Sequence, residues 1–211
     1  MRIVVFGASG GTGRELLRQG AALGHEITAF VRNPGSVTGG ERLRVVVGDA
    51  RDGQAVALAV DAQDAVMSAL GSRSLADATL LPESMTHILS AMREHSVRRM
   101  IVLGASGVWP GAEKRLSLAA RMFLRVIQST VLKKPFASQR RMQELVRMSD
   151  TEWTVVQPPR LLNQPGKGTW RVDAEALPAG GTTIARADVA TFMLEQLSSD
   201  EWVGRSPFVA W

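Results

Sequence analysis

An α/β fold, one parallel sheet wound on both sides by helices, is predicted by three features of this sequence. Short apolar runs recur along the chain, and most of them end in small or turn residues. Most gaps between the runs are long enough for a crossover helix, the pattern of a doubly wound sheet. The first run, Ile3-Val4-Val5-Phe6, shows no alternation, as a strand buried on both faces requires. At 211 residues and 45% hydrophobic, the chain fits a single domain, 1–211, with a sizeable core.

Taken in order, the first strand is followed at once by glycines at 7, 10 and 13. Glu15, Leu16, Leu17, Ala21 and Leu23 then have helical spacing, with Arg14 and Arg18 for the wet face. Further strands are expected at Ile27 to Val31, Leu43 to Val47, Ala65 to Leu70, Met100 to Leu103 and Trp153 to Gln157. The gap between the second and third holds room for only a turn or brief helix. Beyond the sixth strand, Thr169 to Val172 reads as a short strand and Asp188 to Leu197 as a helix. Ser206 to Trp211 reads as a last strand, and this part, 158–211, is expected on the substrate side.

Each glycine of the first turn has a physical task. Gly7 lets the chain leave the strand sharply, Gly10 keeps a Cβ out of a ligand's way, and Gly13 lets the helix approach the sheet. The exposed amides at the helix start form an anion site suited to a pyrophosphate. The spacing is G-x-x-G-x-x-G rather than G-x-G-x-x-G. Between a strand and a helix it marks a Rossmann-type dinucleotide site, with another ligand of such folds, for example a methyl donor, as the alternative.

Ligands of such sheets lie past the carboxyl ends of the strands. Arg32 follows the second strand, 19 residues beyond Gly13. An acid there would bind the ribose hydroxyls of NAD; an arginine suits a 2′-phosphate, so NADP is read in preference to NAD. A solvated turn arginine is the plain alternative. Arg14 is a second, weaker candidate phosphate ligand. Asp49 is placed to meet the adenine edge or to cap the helix beginning near Gly53. Ala69, Leu70 and Gly71 would run beside the nicotinamide ribose, and Asn33, Ala50 and Pro158 border the same site.

Composition narrows the chemistry. The chain has no cysteine, which excludes disulfides and thiolate catalysis, and His25, His87 and His95 are not spaced as metal ligands. No apolar run is long enough to span a bilayer, and the N-terminal run ends in glycines after four residues, unlike a signal peptide. The expectation is a cytoplasmic protein, monomer or homodimer, with a small-molecule substrate. There is also no tyrosine.

Net charge is +5, but residues 112–147 hold nine Lys/Arg against two Asp/Glu, while the rest of the chain holds 16 against 18. Leu116, Ala119, Met122, Phe123, Val126 and Ile127 recur at helical spacing, and Pro135 should end or kink that helix. A second helix should follow with Met142, Leu145, Val146 and Met148 inward. Residues 112–148 are read as a basic helical lid over the acceptor pocket, the sharper alternatives being attraction of anionic acceptors or a subunit or membrane-surface contact. Nucleic-acid binding is not expected, since no recognition motif accompanies the charge.

Gly7-Ala-Ser-Gly-Gly-Thr-Gly13, Val31-Arg-Asn-Pro34, Gly48-Asp49, Ser68-Ala-Leu-Gly71 and Trp153-Thr-Val-Val-Gln-Pro-Pro159 together resemble the atypical short-chain dehydrogenases. Within them the chain is most similar to the flavin reductase and biliverdin-IXβ reductase-like NAD(P)H-binding proteins. Ile184-Ala-Arg-Ala-Asp-Val-Ala190 matches the C-terminal part of that branch. The resemblance implies that Gly7, Ser9, Gly10, Thr12 and Gly13, with Gly11 between them, hold the pyrophosphate, that Arg32 takes the 2′-phosphate, and that Ser106 faces the nicotinamide as the catalytic-side serine. Two departures stand out. The usual Tyr-x-x-x-Lys has no match, the nearest stretch being Phe136-Ala-Ser-Gln-Arg140, and Arg160 follows the double proline where the branch can carry histidine.

Conjugated acceptors fit a site without a tyrosyl acid. A flavin, quinone or tetrapyrrole takes a hydride into its π-system and collects a proton from water, whereas ketone reduction gains strongly from a positioned acid. Arg160 is a candidate for an anionic group on the acceptor, or a surface ion pair. Trp109 and Trp170 are candidates to wall a flat ligand, or ordinary loop packing. The expected activity is an NAD(P)H-dependent reductase; the alternatives are a non-catalytic NADP(H) sensor and, disfavoured by the short C-terminal part, a sugar-nucleotide epimerase or dehydratase.

Overall fold

The computed structural model describes residues 1–71, 78–109 and 133–211. Six parallel strands form the central sheet: β1 (Arg2–Phe6), β2 (Glu26–Val31), β3 (Leu43–Val47), β4 (Ala65–Ser68), β5 (Arg99–Leu103) and β6 (Glu152–Val156). Their order is β3-β2-β1-β4-β5-β6, so the direction of winding reverses between β1 and β4. Each of the six sequence-predicted strands is present, with ends shifted by two residues at most.

The non-alternating runs are explained by two cores. Ile3 and Val5 of β1 point to one face, where α1 (Gly11–Ala22) and α5 (Arg186–Glu195) pack on each other. Val4 and Phe6 point to the other, under α2 (Gly53–Val60), α3 (Leu80–Glu94) and α4 (Lys133–Arg147). All four side chains are buried, and the Phe6 ring meets Phe30 of β2 at 4.9 Å between centroids. The gap after β2 holds a short 3-10 turn, Pro34–Ser36.

The C-terminal part is built from three-residue strands. β7 (Arg160–Leu162) pairs in parallel with β9 (Thr183–Ala185), and β8 (Arg171–Asp173) pairs antiparallel with β10 (Phe208–Ala210). β8 and β10 answer to two of the predicted segments; β7 and β9 were not anticipated, and the last helix begins two residues before Asp188.

Two expectations are corrected. Met148 is 82% exposed rather than inward, because α4 ends at Arg147; Met142 and Val146 are buried as predicted. Pro135 lies within α4, and the helix it is expected to end or kink lies outside the described residues. The cap of α2 is Asp52, whose carboxylate accepts from the Gln54 and Ala55 amides, not Asp49. The basic helix expected over 112–132 lies outside the described residues.

Candidate functional site

The glycine turn is closed by backbone. Gly7 has φ +76, and a Cβ there would lie 2.5 Å from the Ala69 carbonyl oxygen. A Cβ on Gly13 would run into the Gly7 carbonyl and into Ala8. β1, β4 and α1 thus touch through positions where only glycine fits. The Gly10 amide donates to the Gly7 carbonyl at 3.0 Å, and the Ala69 amide to Phe6 at 2.9 Å.

The start of α1 is left open. Gly10 is the N-cap residue, no side chain caps the helix, and its first turn holds no acid. First-turn amides without a protein acceptor, at the positive end of a helix, make an anion site.

Around this turn lies a cavity of about 330 Å³. It is lined by Gly7, Ser9, Gly10, Gly11 and Thr12 of the turn, Arg32 after β2, Ala50 after β3, and Ala69, Leu70 and Gly71 after β4. The structure therefore brings together most of the residues assigned from sequence to a cofactor. Arg32 is exposed and, among the described residues, has no ion-pair or hydrogen-bond partner. Arg14 is different: its guanidinium donates to the Ser9 and Ser36 carbonyls, bracing the glycine turn against the turn after β2.

Others stand beside the cavity rather than in its wall. Gly13 supports it from below. The Asn33 side chain accepts from the Gly35 amide, and Asp49 accepts from the Arg51 amide. Ser106 is buried at the head of a 3-10 turn, Ser106–Val108; its amide donates to the Pro158 carbonyl at 3.0 Å, which ties the end of β5 to the end of β6. Among the described residues its hydroxyl has no hydrogen-bond partner.

The tryptophans are engaged elsewhere. Trp109 donates its indole N–H to Gln143 Oε1 at 2.6 Å, and Arg147 lies over its ring at 4.2 Å. Burial lowers the pKa of Arg147, with Glu144 opposing. Gln143 and Gln157, both fully buried, bond each other, locking α4 to the end of β6. Trp170 meets Phe192 edge-on within the α1/α5 core. Arg160 is exposed at the start of β7, its amide bonded to the Thr182 carbonyl.

A family model described as NAD(P)H-binding matches residues 7–200. The chain belongs to this NAD(P)H-binding family. The protein YwnB of Bacillus subtilis (strain 168) is 25% identical over 95% of this chain and 94% of its own. Among solved structures, ChuY, an anaerobillin reductase from Escherichia coli O157:H7, superposes with TM-score 0.81 at 19% identity, covering 100% of this chain and 97% of that one. A short-chain dehydrogenase/reductase of Veillonella parvula DSM 2008 in complex with NADP gives TM-score 0.80 at 18% identity, covering 100% and 94%. The expected NAD(P)H-binding family and Rossmann-type parallel sheet are thereby established.

The residues present fit a dinucleotide: open amides, a glycine turn with no Cβ in the way, and at the far end a guanidinium with no partner among the described residues. Of the charged lining residues, one escaped the sequence reading. Arg186, the first residue of α5, reaches back over Gly11. The signal was there, a lone cation inside the Ile184-Ala-Arg-Ala-Asp188 motif, but nothing local connects residue 186 to residue 11.

Proposed function

We propose that this protein is a reductase that passes a hydride from NADPH to a small conjugated acceptor of the flavin, quinone or tetrapyrrole type. The observation that carries the cofactor half is the charge layout of the cavity. The helix start is uncapped, and Arg32 and Arg186 line the wall without a carboxylate partner among the described residues. A ligand with phosphates at both places supplies the missing countercharge, and Arg32 favours the phosphorylated ribose of NADP over NAD.

Bound there, the reduced nicotinamide supplies a hydride. The chain's own residues then position the acceptor and keep the exchange ordered. Ser106, whose hydroxyl has no partner among the described residues, is the residue we assign to hydrogen-bond the nicotinamide amide or the acceptor. With no tyrosine in the chain, the proton that follows the hydride comes from water, which suits an acceptor whose π-system spreads the added electrons. Exposed Arg160 is assigned to an anionic substituent of the acceptor. That ChuY is an anaerobillin reductase supports the tetrapyrrole end of this range.

The test is NADPH oxidation across flavins, quinones, linear tetrapyrroles and simple ketones. Turnover with a conjugated acceptor and none with ketones is expected. Turnover with ketones alone overturns the acceptor class, and tight NADPH binding without any turnover makes the protein a sensor.

A further inference from the structure

We infer that Arg186 is a diphosphate-binding residue which closes the cofactor site from the C-terminal part, with Asn163 as its positioning residue. The inference rests on the cofactor reading above and names a contact that the glycine turn alone does not supply. A Cβ built on Gly11 would lie 2.6 Å from Arg186 Cδ and 2.7 Å from its Nε. The arginine therefore crosses directly over the first residue of α1. It leaves its guanidinium beside the open amides of that helix, in the wall of the same cavity.

Its anchorage is one-sided. Nη1 donates to Asn163 Oδ1 at 2.6 Å and to the Leu161 carbonyl at 3.2 Å. Both acceptors are neutral, and no carboxylate pairs with it among the described residues. Asp188, two residues on, is turned away: its carboxylate accepts the Lys167 and Gly168 amides and the Trp211 indole N–H. A guanidinium has five donors in a rigid fork, so holding Nη1 still leaves donors aimed by that anchor. Glycine at position 11 leaves room for this path: a Cβ there would force the Arg186 side chain to shift.

The experiment is calorimetric titration of the whole protein with NADPH, 2′-phospho-ADP-ribose and adenosine 2′-monophosphate. The first two carry a diphosphate and the third does not. Arg186→Ala is expected to weaken the first two by about 10- to 100-fold, the scale of a lost charge-assisted pair, and to leave the third within about twofold. Arg186→Lys should fall between, keeping charge but losing the fork. Asn163→Leu, at an exposed position that spares the fold, is expected to weaken the diphosphate ligands by about 3- to 10-fold. Unchanged affinity for 2′-phospho-ADP-ribose in both Arg186→Ala and Asn163→Leu overturns the inference, as does equal loss for all three ligands. Loss for NADPH alone overturns it too, since that would put the contact at the nicotinamide. Failure of the unmodified protein to bind NADPH is a different result and removes the cofactor reading itself.

Discussion

The two ends of the chain meet at one cavity but are held together by different physics. The N-terminal half is a ladder of four- to six-residue strands whose side chains, the edge strand β3 apart, are mostly buried on both faces, joined to α1 by glycines that touch backbone. The part after β6 has three-residue strand pairs, too short to stand alone. α5, Ile184 and Val209 pack into the α1 core, and single polar side chains secure the loops and short strands around them. Asp188 gathers the Lys167 and Gly168 amides and the Trp211 indole, Arg171 bonds the Ala179 and Trp211 carbonyls, and Asp173 caps Glu175 and Ala176. The first region therefore tolerates changes of surface charge and not one added methyl. The second also depends on single carboxylates that hold its loops, and its loops do not survive the loss of one.

Gly7→Ala should break the first region most severely. The new methyl meets the Ala69 carbonyl in a backbone conformation L-residues avoid, a cost of about 3 to 5 kcal/mol. Denaturant melts would register it, and an alanine variant within about 1 kcal/mol of the parent would dissolve the contrast. Next comes Asp188→Ala, which strands three N–H donors around a 2% exposed site and should cost about 2 to 3 kcal/mol. Here the sharper readout is hydrogen exchange: protection should fall across 163–168 and at Trp211 while β1 and β4 keep theirs. If protection fell evenly over the sheet, the two regions would be one cooperative unit.

Arg32→Ala separates binding from folding. It should cut the preference for NADPH over NADH about tenfold or more without moving the melting midpoint, since Arg32 has no partner among the described residues. An unchanged preference removes the 2′-phosphate assignment. The smallest effect belongs to Asp64, whose carboxyl is held below its usual pKa by the Arg2 amide, with the Arg2 guanidinium adding to it. A carboxyl depressed in the folded state stabilises above its unfolded pKa, and that contribution is lost as pH falls through the folded one. Asp64→Asn should therefore cost about 0.5 kcal/mol near neutrality, screened by solvent, and nothing at low pH. A cost that persists in acid would mean that packing, not charge, is at work.

What was legible followed from locality. Strands β1 to β6 announce themselves because a doubly covered strand needs a continuous apolar run, and the glycine turn because its spacing sits between such a run and a helix. Errors arose where two adjacent residues could do the same local job. Asp49 and Asp52 both precede Gly53, and only the backbone path made Asp52 the cap. Met148 continues the apolar phase of Met142 and Val146, but the helix stops one residue short of it. β7 and β9, three residues each, pair with each other rather than with a neighbour in sequence, and nothing local marks that pairing.

The sequence alone determined the sheet, its glycine turn, membership in an NAD(P)H-binding family and the absence of a tyrosyl acid, because each depends on residue type and near spacing. Tertiary structure decided which cations face the cofactor cavity: Arg14 is consumed as a brace, Arg32 stays open, and Arg186 arrives from 175 positions beyond Gly11. Charge is written in the chain, but its countercharge is a matter of what folding sets within a few ångströms.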